Sequence, residues 1–228
     1  MSSVKQHTLP LTVPQQKNFA NFLVGANRAL VSALNSIKPE TALYLWGNRG
    51  SGCSHLLQAS CLAFQQKNHH VLYLDLHNTD CLAPLFAGAL EGIQLLAVDH
   101  LEAWIGVKEQ EEQLFHLFNY ALQTPCALLW SAAIPPQKLA CVLQDFKSRL
   151  CSLLIFHVQP LDDADLHQAL QQHAKQRGFQ LKRAVAQFML NHYPRDLSEL
   201  LTVLDRLDQA SLQQKKPLTI SLLKQLSN

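Results

Sequence analysis

The stretch at residues 47–54 constrains this chain most, because it combines three glycines and a terminal hydroxyl at fixed spacing. Its sequence is Gly-Asn-Arg-Gly-Ser-Gly-Cys-Ser, which has the spacing of a phosphate-binding loop, normally Gly-x-x-x-x-Gly-Lys-Ser/Thr. An apolar run at residues 42–46 precedes the loop and a helical pattern follows it. Strand, loop and helix in this order predict an α/β domain with an anion site at the start of the helix.

The loop departs from the pattern at Cys53, which stands where lysine is usual. Glycine backbone N–H groups and the helix N-terminus can hold phosphate without that lysine. A charge-assisted hydrogen bond contributes roughly 1.5–3 kcal/mol, so its loss should weaken triphosphate binding most. Whether Arg49 compensates is open. The predicted nucleotide contacts in this loop are Gly47, Asn48, Arg49, Gly50, Ser51, Gly52, Cys53 and Ser54.

Apolar runs alternate with helical patterns over the first two thirds of the chain. Strands are predicted at residues 42–46, 71–75, 93–98, 126–130 and 152–158, and the helices between them at 28–37, 53–66, 80–90, 109–122, 137–142 and 144–150. Continuous apolar strands of this kind are typical of a parallel sheet covered on both faces. We therefore predict a three-layer α/β domain with a five-stranded parallel sheet.

After Pro160 the pattern is wholly helical. Helices are predicted at 162–177 and 182–192, a leucine-striped one opening near Pro194 and Arg195, and a last one after Thr219. The chain is thus divided into an extended tail at 1–18, the α/β domain at 19–159 and a small all-helical lid domain at 160–228.

Polar residues at two strand ends are candidates for nucleotide chemistry. Asp99 closes the third strand, where a Walker B aspartate would hold Mg²⁺ together with the Ser54 hydroxyl. His100 follows Asp99, where hydrolytic enzymes usually carry a second acid, and Glu102 is a weaker candidate for that base. Ser131 is predicted to end the fourth strand, as a weakened sensor of the γ-phosphate.

Composition excludes several classes. A net charge of +2 gives little support for a broad nucleic-acid surface. No apolar run is long enough to cross a bilayer, and scattered cysteines favour a reducing, cytoplasmic location. The histidines and cysteines show no metal-binding spacing, so no metal site made of protein ligands alone is expected.

Three further features have a structural and a functional interpretation. Residues 6–11, Gln-His-Thr-Leu-Pro-Leu, are either a disordered terminus or a peptide for a partner's groove, and the residues alone favour disorder. Arg149, before the fifth strand, is either a surface charge or a group that reaches a neighbouring subunit's phosphate. Arg195 is either a solvated charge or a nucleotide contact.

Taken in order, these features resemble the AAA+ ATPases, in the branch of the bacterial initiator DnaA. The resemblance rests on an aromatic loop at 19–27, the loop at 47–54, Asp99, the triplet Ser148-Arg149-Leu150 and a helical domain with Arg195. It covers nearly the whole chain and is strongest to short regulatory members. Since the chain ends where DnaA adds DNA-binding helices, we expect no duplex-reading module.

The resemblance implies roles for individual residues. Phe22, Val24, Gly25 and Asn27 would cradle the base, and Arg195 would contact the nucleotide as the second sensor. Arg149 would be an arginine finger donated in trans to ATP bound by DnaA. The expected cofactor is ADP or another nucleoside diphosphate, with Mg²⁺. The expected clamp-binding peptide uses Gln6, Leu9, Pro10 and Leu11, although His7 stands where leucine is usual.

These implications predict a negative regulator of replication initiation that stimulates ATP hydrolysis by DnaA while bound to the sliding clamp of DNA polymerase III. Contact with DNA would be indirect, through the clamp, and no membrane is involved; a homodimer is left open. Two alternatives remain: a weak autonomous ATPase using Arg49 and Glu102, and a clamp-tethered adaptor that needs no nucleotide.

Overall fold

A computed structural model describes residues 17–79, 90–214 and 217–226 of the 228-residue chain. The chain divides into two compact units: the first comprises Met1–Asn48 and Gly52–Val158, and the second comprises Gln159–Asn228 together with Arg49–Ser51. The first is an α/β unit with a parallel sheet and the second is all-helical, which confirms the predicted fold class. No helix in the described part of the chain is long and apolar enough to cross a membrane.

Five strands form one parallel sheet in the order β2-β3-β4-β1-β5. They are β1 (Ala42–Trp46), β2 (Val71–Asp75), β3 (Leu95–Asp99), β4 (Ala127–Ala132) and β5 (Leu154–His157). The predicted β1 and β2 are confirmed residue for residue, whereas β3 and β5 begin two residues later than predicted. Because all strands are parallel, their carboxyl ends meet at one edge, where the loop at 47–54 begins.

Four α-helices accompany the sheet in the described residues of this unit. They are α1 (Arg28–Asn35), α2 (Cys53–Gln65), α3 (Lys108–Leu122) and α4 (Gln144–Cys151). The predicted helix at 137–142 is wrong: a short 3-10 helix at Pro136–Lys138 is followed by extended backbone at Leu139. The predicted helix at 80–90 lies outside the described residues except for its last position.

Two apolar clusters cover the two faces of the sheet, because successive strand side chains point to opposite sides. Tyr44 and Trp130 pack with Phe118 and Phe146 in one cluster. The other cluster contains Leu43, Leu45, Leu56, Leu57 and Leu129. These two cores establish the helix–sheet–helix layering.

The helical unit has its own core. It consists of α5 (Asp163–Gln176), α6 (Arg183–His192), α7 (Leu197–Gln214) and α8 (Ile220–Leu226). Asp162 caps α5 by accepting the Asp165 N–H at 2.7 Å, and Gly178 follows the helix with φ +84°, both as predicted.

The prediction that α7 opens near Pro194 and Arg195 is wrong. The helix begins at Leu197, because the Asp196 carboxylate accepts the N–H groups of Ser198 and Glu199 and so caps it three residues later. Leu200, Leu204 and Leu207 are fully buried, as the leucine stripe predicted.

Candidate functional site

The loop at 47–54 connects β1 to α2 with two glycines in the left-handed region. Gly47 donates its N–H to the Ala132 carbonyl at 3.2 Å, which fixes the loop to the end of β4. Gly50 has φ +82° and Gly52 has φ +102°, conformations that favour glycine. Gly52 is the N-cap of α2 and supplies no side-chain cap. The N-cap residue of this 13-residue helix therefore places no side chain over the helix N-terminus, which is the end of a helix that favours an anion.

The side chains of this loop differ in exposure. Asn48 and Arg49 are exposed, whereas Ser51 is buried. Cys53 and Ser54, the first residues of α2, are half-buried, and Cys53 packs against the core cluster that contains Leu56. The thiol at the lysine position therefore lies partly within the packing of the unit.

The aromatic loop before α1 contacts the first turn of α2. Nε2 of His55 lies 3.0 Å from the Asn18 carbonyl, and the His55 ring meets the Phe22 ring edge-on with centroids 5.3 Å apart. Burial lowers the pKa of His55; the hydrogen bond to Asn18 acts in the opposite sense, and the charge of Lys17 lowers the pKa further. Neutral His55 therefore joins the loop to the helix.

The residues predicted to cradle a base form a turn in this same loop. Asn27 donates its N–H to the Val24 carbonyl at 2.8 Å, with Gly25 at φ +47° between them. Asn27 is buried and precedes α1. The structure thus brings the predicted base-binding loop and the start of α2 together, through Phe22 and His55.

Gly52 also lacks space for a side chain. A Cβ atom built at Gly52 would lie 2.8 Å from Cε2 of Phe22. We expect Gly52→Ala to cost roughly 1–2 kcal/mol through its positive φ and about 1–3 kcal/mol more through overpacking against the ring. Thermal unfolding measures the sum.

Gly106→Ala is the matched control, because Gly106 has φ +95° and open space where its Cβ would lie. Gly106→Ala should therefore be the milder of the two changes. The double variant Gly52→Ala with Phe22→Ala should recover part of the loss. Equal melting temperatures for the two glycine variants would contradict a clash with Phe22.

Asp99 is buried at the end of β3 and its carboxylate is held by protein donors. The Tyr73 hydroxyl donates to Oδ2 at 2.6 Å, and the Ser131 hydroxyl and the His100 N–H donate to Oδ1. Gln58 on α2 donates in turn to the Tyr73 hydroxyl at 3.1 Å. Burial, reinforced by the negative charge of Asp99, raises the pKa of Tyr73, so Tyr73 is a persistent donor. Three of the roughly four lone-pair sites of this carboxylate are thus taken by protein donors.

Two predicted catalytic candidates, Ser131 and Glu102, form hydrogen bonds within the protein. Ser131 does not end β4, because the strand continues to Ala132, and its buried hydroxyl donates to Asp99. Oε2 of Glu102 accepts the N–H of Ala133 at 3.1 Å. The positions suggested for a γ-phosphate sensor and a general base therefore hold the ends of β3 and β4 together.

Arg149 lies on the last turn of α4. Phe146 and Leu150 are fully buried and anchor this eight-residue helix, whereas Arg149 is exposed. Within the described residues its guanidinium makes neither a hydrogen bond nor an ion pair. A fixed helix thus carries an arginine available to another molecule.

Glu111 is a structural residue that sequence patterns missed. Its fully buried carboxylate accepts three backbone N–H groups: from Gly106 at 2.7 Å, Val142 at 3.0 Å and Leu143 at 2.7 Å. Leu143 is the N-cap of α4, so this carboxylate fixes the start of the helix that bears Arg149.

In the helical unit, Arg195 forms a two-pronged ion pair. Its Nη1 and Nη2 lie 3.2 and 3.3 Å from the two Asp163 oxygens at the start of α5. Both side chains are at least half exposed, so Arg195 can readily exchange Asp163 for another anion. The predicted clamp peptide, with Gln6, Leu9, Pro10 and Leu11, lies outside the described residues.

A parallel sheet in the order β2-β3-β4-β1-β5, with a phosphate-type loop after β1 and a helical unit following, defines a P-loop protein of the AAA+ class. The model of the bacterial DnaA ATPase domain matches residues 13–157, more than half of the chain, and the chain belongs to that family. The model of the Hda lid domain matches residues 163–226.

Solved structures of DnaA share the fold. Domain III of Thermotoga maritima DnaA aligns at 20% identity with a TM-score of 0.78, covering 93% of this chain and 95% of that one. DnaA bound to AMPPCP and single-stranded DNA aligns at 19% identity with a TM-score of 0.75, and the alignment covers 89% of this chain and 69% of that one. AMPPCP-bound DnaA from Aquifex aeolicus aligns at 18% identity with a TM-score of 0.73, and the alignment covers 88% of this chain and 67% of that one.

Proposed function

We propose that this DnaA-related protein is a negative regulator of replication initiation, which binds a nucleoside diphosphate and stimulates ATP hydrolysis by DnaA. The observation that carries the proposal is Arg149. It is exposed, unpaired within the described residues, and fixed on a helix held by Phe146, Leu150 and Glu111. A guanidinium presented in this way can stabilise the charge that develops on a phosphoryl group bound by another protein.

The residues that would catalyse hydrolysis within this chain are absent or hydrogen-bonded elsewhere, which favours an activator of another protein over an autonomous ATPase. Cys53 supplies no positive charge at the lysine position. Glu102 is hydrogen-bonded to Ala133 and Ser131 to Asp99, so neither carboxylate nor hydroxyl is directed to an attacking water. Hydrolysis would then occur in the partner's site.

Nucleotide binding is supported by the loop geometry and by relatives that bind AMPPCP. The amides at residues 50–54 would hold the phosphates, and the turn with Phe22, Val24, Gly25 and Asn27 would hold the base. ADP or another diphosphate fits best, because the missing lysine normally contacts the outer phosphates. Arg195 would reach the nucleotide by exchanging its exposed Asp163 partner.

The residues present also fit Mg²⁺ bound with the nucleotide. Ser54 offers a hydroxyl at the start of α2, and Asp99 lies at the end of β3, two strands from β1 at the same edge of the sheet. Magnesium would neutralise phosphate charge when bound. Asp99 would act through a water molecule or through the acceptor capacity that its three protein donors leave.

The direct test is DnaA-bound ATP turnover with the sliding clamp loaded on DNA, in the presence and absence of this protein. Accelerated hydrolysis that requires DnaA is the expected result. Phosphate release by this protein alone, at the same rate, would establish the autonomous ATPase instead. Full stimulation together with no ADP binding by calorimetry would favour the nucleotide-independent adaptor.

The tail is proposed to dock on the clamp of DNA polymerase III, so that DNA is contacted only through the clamp. Leu9→Ala with Leu11→Ala should abolish clamp binding in a pull-down or calorimetric assay, because both apolar anchors are lost. The melting temperature should not change. If this variant bound the clamp as tightly as the wild type, the tail would not be the clamp-binding segment.

A further inference from the structure

A cluster of two imidazoles and one carboxylate lies at the carboxyl ends of β2 and β3. Asp75 and Asp99 are register partners at these ends, and His77 and His100 follow them in the chain. Asp75, His77 and His100 each place a potential ligand atom within 4.8 Å of the others. Sequence spacing does not indicate this cluster, because His100 follows His77 by 23 residues and meets it only through the pairing of β2 with β3.

The distances within the cluster suit a shared ion. Oδ1 of Asp75 lies 2.9 Å from Nδ1 of His100, and the rings of His77 and His100 have centroids 4.2 Å apart. Two ligand atoms bound tetrahedrally to one zinc ion are about 3.3 Å apart, given bonds of about 2.0–2.2 Å. His77 is exposed, and one of its ring nitrogens lies within 4.8 Å of the ligand atoms of Asp75 and His100.

Two features hold the cluster in place. His100 has φ +58° and ψ +48°, a left-handed conformation that is costly for a residue with a Cβ. In this conformation Nδ1 of His100 lies within hydrogen-bonding distance of Asp75. Asn78 donates to the second Asp75 oxygen, Oδ2, at 2.7 Å, which orients the carboxylate as an outer partner of a metal ligand does.

We propose that Asp75, His77 and His100 form a binding site for a zinc-class divalent transition-metal ion. Imidazole with carboxylate favours zinc, cobalt and nickel, whereas magnesium and calcium prefer oxygen ligands throughout. Three protein ligands leave a fourth position for water or another ligand. The site lies beside Asp99, whose Oδ2 is 3.8 Å from Nδ1 of His100. It is separated from the phosphate loop, because β1 lies two strands from β3 and three from β2, or about 10–15 Å across the sheet.

The test is a titration of the full-length, untagged and nucleotide-free protein with Co²⁺, followed by its visible absorption and by displacement with Zn²⁺. We expect one Co²⁺ per chain with nitrogen and oxygen ligation and no cysteine charge-transfer band. His77→Ala should weaken binding at least tenfold without changing the melting temperature, since its side chain is exposed. Asn78→Ala should weaken binding by about 10- to 100-fold as an outer partner.

His70→Ala is the matched control, an exposed histidine at the other end of β2. It should bind Co²⁺ as the wild type does. The proposal is overturned if the wild type shows no saturable binding, if His77→Ala binds as tightly as the wild type, or if a thiolate band dominates the spectrum. His100→Gly, which relieves the left-handed backbone while removing the ring, should fold and fail to bind.

Discussion

Replacing Arg149 with alanine should abolish the proposed stimulation of ATP hydrolysis by DnaA. An arginine finger contributes roughly 10³–10⁵-fold to the rate of phosphoryl transfer, so the stimulated rate should fall to the basal rate of DnaA. Because Arg149 is exposed and makes no ion pair within the described residues, the melting temperature should not change. The measurement is single-turnover hydrolysis of DnaA-bound ATP with the clamp loaded on DNA.

Two variants sharpen this result. Arg149→Lys keeps the charge but loses the planar, two-pronged guanidinium, and should recover little of the rate. Arg183→Ala removes an equally exposed arginine at the start of α6 and should leave stimulation intact. Stimulation by Arg149→Ala at the wild-type rate would show that the chemistry does not depend on this side chain.

Glu111→Ala should cause the largest loss of stability among single changes in the α/β unit. The substitution leaves the N–H groups of Gly106, Val142 and Leu143 without their acceptor in a buried site. Leaving a buried donor without its acceptor costs about 1–3 kcal/mol for each group, so the three together should cost at least about 3 kcal/mol. For a chain of this length that lowers the melting temperature by roughly 10 °C, which differential scanning calorimetry measures.

Glu112→Ala is the matched control. The Glu112 side chain is half exposed, and within the described structure it forms an ion pair only with Lys108, at 3.8 Å. Removing it should therefore change the free energy of unfolding by no more than about 0.5 kcal/mol. Glu111→Gln retains an acceptor and should be milder than alanine. Similar melting temperatures for the Glu111→Ala and Glu112→Ala variants would contradict a structural role for the buried carboxylate.

Local chemistry predicted much of the fold from the sequence. Apolar runs gave β1 and β2, the short polar side chain of Asp162 marked the start of α5, and Gly178 marked its end. Each of these signals acts over a few residues. Pro194 misled because a residue after it, Asp196, caps the helix more effectively.

The parts that could not be predicted depend on strand order and on burial. Glu111 is an acidic residue in an amphipathic helix, and periodicity alone assigns such a residue to the surface. Ser131 lies in a strand buried on both faces, where alternation carries no information about its partner. Neither Asp99 with Ser131 nor Asp75 with His100 can be paired before the neighbours in the sheet are known.

A chain of hydrogen bonds runs from Gln58 through Tyr73 to Asp99 and Ser131. The effect of mutating Asp99 therefore has both a structural and a functional cause. Asp99→Ala would remove the acceptor of the buried Ser131 hydroxyl and of the half-buried Tyr73 hydroxyl, so a defective phenotype would report lost stability as well as any loss of the proposed magnesium contact. Tyr73→Phe separates the two effects, since it loosens this chain of hydrogen bonds and keeps the carboxylate. An Asp99 allele is therefore informative about magnesium only beside a Tyr73→Phe allele of measured stability.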